Sequence, residues 1–269
     1  MVDGAALIDG HVHLHGCFEL DGALDAAAEN LGKARERLDL PSETPLFLWL
    51  VEAGERGAER LLEKARGSWS VVESSGVSLR LARSSDGHRI TAIRGNQVRT
   101  AEDLEVLAVG SREHVAGDLP LAATIEACLD QEALVMLPWG FGKWTGSRAR
   151  AVSKAFERYS PRGLRLADTG ARTRLLATPP LLARSSAAGL PVFAGSDPFP
   201  FANQVSKIGK HGFVLEGVGS GAGWEDLHRI IRTVEGQPHR FGRPLGSIEF
   251  ARLQGKMQVR KRFGEGRGP

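Results

Sequence analysis

The chain has 269 residues, of which 42% are hydrophobic and 25% charged, and its formal net charge is +3. This balance excludes a disordered chain and supplies enough apolar side chains for one sizeable core. The small positive excess does not by itself indicate a nucleic-acid partner, and no segment approaches the roughly 20 apolar residues of a membrane span.

The first predicted element is a strand that carries three histidines. The stretch "AALIDGHVHLHG" begins with an apolar run and ends at a glycine. His11, His13 and His15 stand on alternate residues, so they share one face if the strand persists, and Asp9 has the same parity. Neutral imidazoles on one face can share a metal ion, and Asp9 could join them or orient a ring. The alternative is that these histidines are ordinary polar side chains at the end of a strand.

Helix and strand patterns then alternate. The sequence predicts a helix in "LDGALDAAAENLGKARERLDL", a buried strand in "PLFLWLVEAG" and a helix in "ERGAERLLEKARG". Three short β-rich runs follow in "WSVVESSGVSLRLARSSDGHRITAIRG", where Ser-Gly and Asp-Gly turns indicate a hairpin or a small meander. Glu52 ends the second strand, either as a metal ligand or as a charge at the start of the next helix.

The rest of the chain predicts more strands with helices between them, and a final helix in "GWEDLHRIIRTVEG". A parallel sheet can close into a barrel or stay open and doubly wound. We expect an α/β fold of the distorted (β/α) TIM-type barrel kind with seven or eight strands, because polar residues follow many strands and a barrel brings those ends to one mouth. We expect residues 1–250 to form this single domain and residues 251–269 a basic, glycine-rich tail.

A glycine-bounded aromatic loop, "PWGFGKWTGSR", follows one of the later strands. Trp139 and Trp144 could stack on a substrate, with Lys143 holding its negative charge, or they could cap the core. Arg172 is a second candidate for substrate binding. The alternative, which we favour, is that Asp168 forms an ion pair with Arg172 or caps the N-terminus of a helix.

Two of these stretches resemble motifs of known metal-dependent hydrolases. "IDGHVHLHG" resembles the opening motif of the amidohydrolase and PHP (polymerase and histidinol phosphatase) superfamilies. "GLPVFAGSDPFPF" resembles the late PHP strand that ends in a metal-ligand aspartate, here Asp197. A third stretch, "IRGNQVRTAEDLEVLAVG", is similar to the PHP segment with a glutamate and a histidine ligand. The resemblance implies a barrel with a metal site that includes His11, His13 and Asp197.

Several positions depart from the PHP pattern. Gln97 stands where the bridging glutamate is expected, and Glu105 where the strand histidine is expected. Leu137 and Phe199 stand in place of two further ligands. The resemblance therefore implies a reduced site that holds one divalent ion, zinc, manganese or iron, or none.

We therefore expect a relative of the PHP-like metal-dependent hydrolases that cleaves a phosphoester or an amide, with His15 and Lys143 as catalytic residues. The substrate would be a small molecule, phosphorylated or not, rather than nucleic acid or membrane. Two widely spaced cysteines and no cationic leader predict a cytoplasmic protein. One alternative is a non-catalytic barrel with a decayed metal site that binds a small ligand or a protein. Another is a metal-free lyase or isomerase that uses the histidines as acid and base.

Overall fold

The computed structural model describes residues 4–52, 57–173 and 175–263. Two β-sheets pack face to face, and helices cover their outer sides. The helices are α1 (Leu20–Arg37), α2 (Gly57–Lys64), α3 (Leu121–Asp130), α4 (Gly146–Tyr159), α5 (Pro180–Ala187), α6 (Trp224–Thr233) and α7 (Ser247–Phe263). The strands are β1 (Ala5–Val12), β2 (Leu46–Leu50), β3 (Trp69–Ser75), β4 (Ser78–Arg83), β5 (Arg89–Ile93), β6 (Gly95–Arg99), β7 (Glu105–Val109), β8 (Leu134–Pro138), β9 (Arg165–Thr169), β10 (Val192–Gly195), β11 (His211–Glu216) and β12 (Arg240–Gly242).

The first sheet has seven strands in the order β12-β11-β1-β2-β5-β4-β3. Only β1, β2 and β5 are parallel neighbours, and all other pairs are antiparallel. Strands β3, β4 and β5 form the meander that the turn residues predict. The pairs are consecutive because tight turns join them.

The second sheet has five strands in the order β10-β9-β8-β7-β6. Strands β8, β9 and β10 are parallel, whereas β6 and β7 run antiparallel to their neighbours. Helices α4 and α5 supply the crossovers between the parallel strands. This half of the fold therefore follows the alternating pattern that the sequence predicts.

The expected (β/α) barrel is wrong. The described strands form two mixed sheets of seven and five strands and no closed barrel. A barrel of this kind needs a helix after each strand, but β3 to β7 follow one another from residue 69 to 109 with no helix between them. Because turns reverse the chain from β3 to β4, from β4 to β5 and from β6 to β7, these strands pair antiparallel and the sheets stay mixed.

Alternating side chains build a core between the sheets and a core outside each sheet. On β2, Phe47 and Trp49 face the second sheet, whereas Leu48 faces the helix α1 side. The Trp49 ring packs between Phe193 and Phe213, with ring centres 5.7 and 5.3 Å away. Both faces of β2 are therefore buried, as its continuous apolar run predicts.

The two sheets meet along one edge, where several strands end. The backbone N–H of Asp197, just after β10, donates to the carbonyl of His11 on β1 at 2.9 Å. The N–H of Gln97 on β6 donates to the carbonyl of Glu52, just after β2, also at 2.9 Å. These contacts bring the ends of β1, β2 and β10 together with β6, and this edge carries the histidine motif.

The chain continues as a helix beyond residue 250. Residues 251–263 belong to α7, which begins at Ser247 and anchors itself through buried Phe250 and Leu253. Residues 264–269 of the expected tail lie outside the described residues, and the division at residue 250 stays a prediction. In the described chain, no helix has the length and apolar character needed to cross a membrane.

Candidate metal centre

An irregularity in β1 decides which way the histidines face. The pairing of β1 with β2 shifts register between Asp9 and Val12. Before the shift, Leu7 faces α1, and after it Val12 and Leu14 do so. The shift therefore moves His11 and His13 to the opposite face from Asp9. A bulge of this type re-aims side chains at the end of a strand, often next to a functional site.

His11, His13 and Asp197 converge on one point. The two Nε2 atoms lie 3.0 Å apart, and Asp197 Oδ1 lies 3.5 Å from His11 Nε2 and 3.8 Å from His13 Nε2. Both histidines are buried, whereas the Asp197 side chain is 30% exposed. The carboxylate is therefore the side of the cluster that solvent can reach.

The spacing of these atoms fits one metal ion. A tetrahedral zinc site with bonds of about 2.0–2.1 Å places its ligand atoms about 3.3 Å apart. The three observed separations of 3.0, 3.5 and 3.8 Å bracket that value. Imidazole nitrogens and a carboxylate oxygen also suit zinc, manganese or iron. The donor set and its geometry are therefore those of a site for a single divalent ion.

Burial keeps the histidine pair neutral. It lowers the pKa of His11 to about 4, where Glu105 opposes the shift and Lys143 adds to it. Burial, together with the neighbouring His11, lowers the pKa of His13 to about 3. Both imidazoles are therefore neutral at neutral pH, and each has one nitrogen lone pair, which metal binding requires.

Asp197 is held in an uncommon backbone conformation. Its φ is +47°, in the left-handed region that few residues other than glycine adopt. Its N–H donates to His11, and its side chain contacts that of Thr169. Burial raises the pKa of the Asp197 carboxyl, while the nearby His13 ring and the charge of Lys143 oppose this. Strain of this kind clusters at functional sites, and here it directs the carboxylate towards the histidines.

Three further side chains border the cluster. The side chain of Gln97 lies within hydrogen-bonding reach of both imidazoles. Lys143 forms an ion pair with Glu105, and both side chains are about one quarter exposed. The charge of Lys143 acts on both His11 and Asp197. Two of the four positions that depart from the PHP pattern, Gln97 and Glu105, therefore do lie at this centre.

His15 lies at the rim of the cluster. Its ring stacks on that of His13 with the ring centres 5.2 Å apart, and its Nε2 lies 2.9 Å from the carbonyl oxygen of Pro198. A carbonyl only accepts, so Nε2 carries the proton and Nδ1 the lone pair of the neutral ring. Glu52, at the end of β2, accepts from the N–H of Leu14 at 3.2 Å and is not part of the three-residue cluster.

Two of the expected ligand positions lie elsewhere. Leu137 packs in the core between the second sheet and its helices, on the opposite face of β8 from Met136. It therefore faces away from the space between the sheets. Phe199 lines a small cavity next to Asp197 and supplies no metal-binding atom.

The aromatic loop forms a groove of its own. Trp139 and Trp144 pack partly against the helix-side core of the second sheet. Together with Phe141 they line a groove of about 440 Å³ that also involves Leu176 and Leu181. The substrate-binding role of the two tryptophans stays a prediction.

The favoured interpretation of Arg172 is confirmed: it forms an ion pair with Asp168. Its Nε and Nη2 donate to the two carboxylate oxygens of Asp168, each at 3.0 Å. Arg240 donates to the same carboxylate at 2.9 Å. Asp168 is almost fully buried, so these bonds compensate a buried charge. A role for Arg172 in substrate binding stays a prediction.

The structure gives Asp9 a different position from the one that strand parity predicts. Its carboxylate accepts from the backbone N–H groups of Ser196 at 2.7 Å, Gly209 at 2.8 Å and His11 at 3.3 Å. Asp9 therefore links β1 to the segment that carries Asp197. It stabilises the positions of the candidate metal ligands from the opposite face of β1. The register shift that turns it away is not visible in the residue pattern.

Comparisons with known proteins agree with this fold. No protein family and no curated protein matches the sequence. Among solved structures, the chain is similar to the lesion-specific endonuclease PfuEndoQ from Pyrococcus furiosus, with a TM-score of 0.54 and 12% identity. The match covers 86% of this chain and 56% of that one, so the chain spans just over half the length of the endonuclease. A likeness at this identity shows that the two proteins share a fold.

Proposed function

We propose that the protein is a one-metal phosphoester hydrolase. The observation that carries the proposal is the convergence of His11, His13 and Asp197 next to the Lys143–Glu105 ion pair. The resemblance to the PHP motifs and the shared fold with an endonuclease support hydrolysis of a phosphoester over that of an amide.

The three ligands would hold one zinc, manganese or iron ion. A bound divalent ion polarises a phosphoryl oxygen and lowers the pKa of its coordinated water. A second ion is disfavoured, because Gln97 brings no charge and the Lys143 ammonium already places a cation beside the cluster. The site is therefore a single-metal centre with a fixed positive charge beside it.

The side chains around the metal ligands would stabilise the transition state, accept a proton and contact the substrate. Lys143, held by Glu105, would donate hydrogen bonds to phosphoryl oxygens as negative charge develops on them. His15, oriented by the carbonyl of Pro198, would accept a proton at Nδ1. Trp139 and Trp144 would contact the part of the substrate that extends away from the metal centre.

The rival function is a non-catalytic protein that keeps the fold but has lost turnover. It predicts that the cluster binds metal weakly or not at all. It also predicts that Lys143 can be changed without any chemical consequence.

Hydrolysis of bis(p-nitrophenyl) phosphate with added manganese or zinc separates these functions. We expect metal-dependent turnover in the natural protein. Lys143→Met should lower kcat by about 100-fold, as for other lost transition-state donors, with little change in metal affinity. Lys154→Met changes an exposed lysine on α4. It is the matched control and should leave kcat unchanged.

Equal activity of the Lys143→Met and Lys154→Met variants would contradict the role of Lys143. No turnover above background with either metal, in a protein that binds the metal, would favour the non-catalytic rival.

A further inference from the structure

A small cavity opens on the other side of Asp197 from the histidines. It has a volume of about 90 Å³, the space of about three water molecules. The side chains that matter for a ligand are those of Asp197, Lys207, Lys210, His211, Arg243 and Glu249. The cavity therefore combines one candidate metal ligand with several basic groups.

His211 is the least expected part of this cavity. It is only 5% exposed; the backbone of Phe241 lies within loose hydrogen-bonding reach of its ring, and neither ring nitrogen makes a well-formed hydrogen bond within the described chain. Buried polar atoms are nearly always paired, so an unpaired imidazole indicates a missing partner. An oxygen-rich ligand in the cavity would supply one.

The charges of the cavity favour an anion. Lys207 Nζ lies 2.6 Å from Glu249 Oε1, so the charges of this ion pair offset each other. Lys210 and Arg243 are exposed, and among the described residues neither has a carboxylate within 4 Å. Two positive charges are thus left over beside a carboxylate that the metal centre would use.

The same two residues also line a second, larger groove. This groove has a volume of about 680 Å³ and runs between α1 and β12. Lys33, Arg37 and Arg240 line it together with Lys210 and Arg243, and Glu29, which is paired with Lys33, is its acidic residue. A cationic path therefore leads from the cavity beside Asp197 out along α1.

We propose that the cavity and this groove form one binding site for a phosphodiester strand. One phosphate would lie in the cavity against His211, next to the metal centre, and the following phosphates would lie along Lys210, Arg243 and Arg37. A site for a single phosphate needs the cavity alone, whereas the groove adds Arg37, which has no carboxylate within 4 Å among the described residues, and the paired cations Lys33 and Arg240. The inference rests on the proposed phosphoester hydrolase and names its substrate class.

The test is a binding measurement without metal. The probe is a fluorescein-labelled single-stranded 12-mer of deoxythymidine. Its binding to the full chain in the presence of EDTA is measured by the fluorescence anisotropy of the label. Binding should weaken steeply with salt, because phosphate contacts release counterions. A peptide nucleic acid of the same base sequence has no phosphates and should not bind.

Charge reversal locates the site. Lys210→Glu with Arg243→Glu should weaken binding at least tenfold and reduce the salt slope by about 1.4, or about 0.7 for each lost contact. Arg150→Glu with Lys154→Glu, on the exposed face of α4, changes the net charge equally and should alter affinity less than twofold.

Three results would each overturn this inference. The two double variants could weaken strand binding equally, the peptide nucleic acid could bind as well as the DNA strand, or the binding could show no dependence on salt. A zinc titration of the Lys210→Glu/Arg243→Glu variant keeps the two proposals apart. We expect this variant to bind zinc as the natural protein does. If the natural protein binds zinc but not the strand, the groove is wrong and the metal centre stands. If the natural protein binds the strand but no metal, the hydrolase proposal fails instead.

Discussion

At the scale of single residues, the buried His211 has a consequence for stability. Burial lowers its pKa from 6.5 to about 4; Asp168 opposes the shift, and Arg240 and Arg172 add to it. Above about pH 6.5 the ring is neutral in both the folded and the unfolded chain. Between about pH 6.5 and 4 the unfolded chain binds a proton that the folded chain does not, so the free energy of unfolding falls as the pH falls.

Replacing this ring should remove its share of the pH dependence. We expect the loss of unfolding free energy between pH 7 and pH 4.5 to be about 2 kcal/mol smaller in His211→Leu than in the natural protein. His11 and His13 titrate in both proteins, so the difference isolates His211. Urea denaturation at the two pH values measures it, and an equal loss in both proteins would contradict the assignment.

The residue pattern also determines how much of the centre can be predicted. His11, His13 and Asp197 are predictable because an alternating motif and a Gly-Ser-Asp strand end resemble known ligand motifs. His211 is not, because a lone histidine at the start of an apolar strand differs in no way from a surface histidine in the sequence. Only the packing of β11 against β12 and the neighbouring cavity distinguishes it.

At the scale of elements, Asp9 joins three parts of the chain. Its carboxylate receives three backbone N–H groups, from β1, from the end of β10 and from the segment before β11. Burial raises the pKa of Asp9 to about 7, while these hydrogen bonds oppose the shift. The residue is therefore part of the support for the metal centre.

Removing this carboxylate should destabilise the fold. Asp9→Ala leaves three buried donors without an acceptor, so we expect a loss of about 3 kcal/mol in the free energy of unfolding. Asp9→Asn keeps one oxygen and should lose about half as much. Asp130→Ala, an exposed carboxylate on α3, is the control and should change the free energy by less than about 0.5 kcal/mol.

Urea denaturation of the three variants checks this order. A free energy of unfolding for Asp9→Ala within error of that for Asp130→Ala would show that Asp9 does not support the junction of the sheets.

Element prediction succeeds where local signals dominate. The helices α1, α3, α4 and α6 match their apolar periodicity, and the Ser-Gly and Asp-Gly turns predict the meander. Strand β12 and helix α7 have no such signal. β12 is three residues long, and α7 has its apolar residues spread around the helix, so neither shows a periodicity that predicts it.

At the scale of the whole molecule, local patterns do not determine how the sheets close. Helix–strand alternation is common to barrels and mixed sheets, and the direction of a strand depends on the turns that join it to its neighbours. The helix-free run from β3 to β7 reverses the chain repeatedly, which excludes a parallel barrel. The small net charge likewise conceals the cationic groove, because acidic residues elsewhere offset it.

We expect β1 and the end of β10 to form one metal site. Isothermal titration of the purified, EDTA-treated chain with zinc and with manganese tests it most directly. We predict a single site per chain, weak enough for EDTA to empty it. His13→Ala should abolish that binding, while its circular dichroism spectrum and urea midpoint stay close to those of the natural protein. His239→Ala, an exposed histidine away from the centre, should bind as the natural protein does. Two or more tightly bound ions per chain, or no binding at saturating concentrations of both metals, would contradict a single metal site formed by His11, His13 and Asp197.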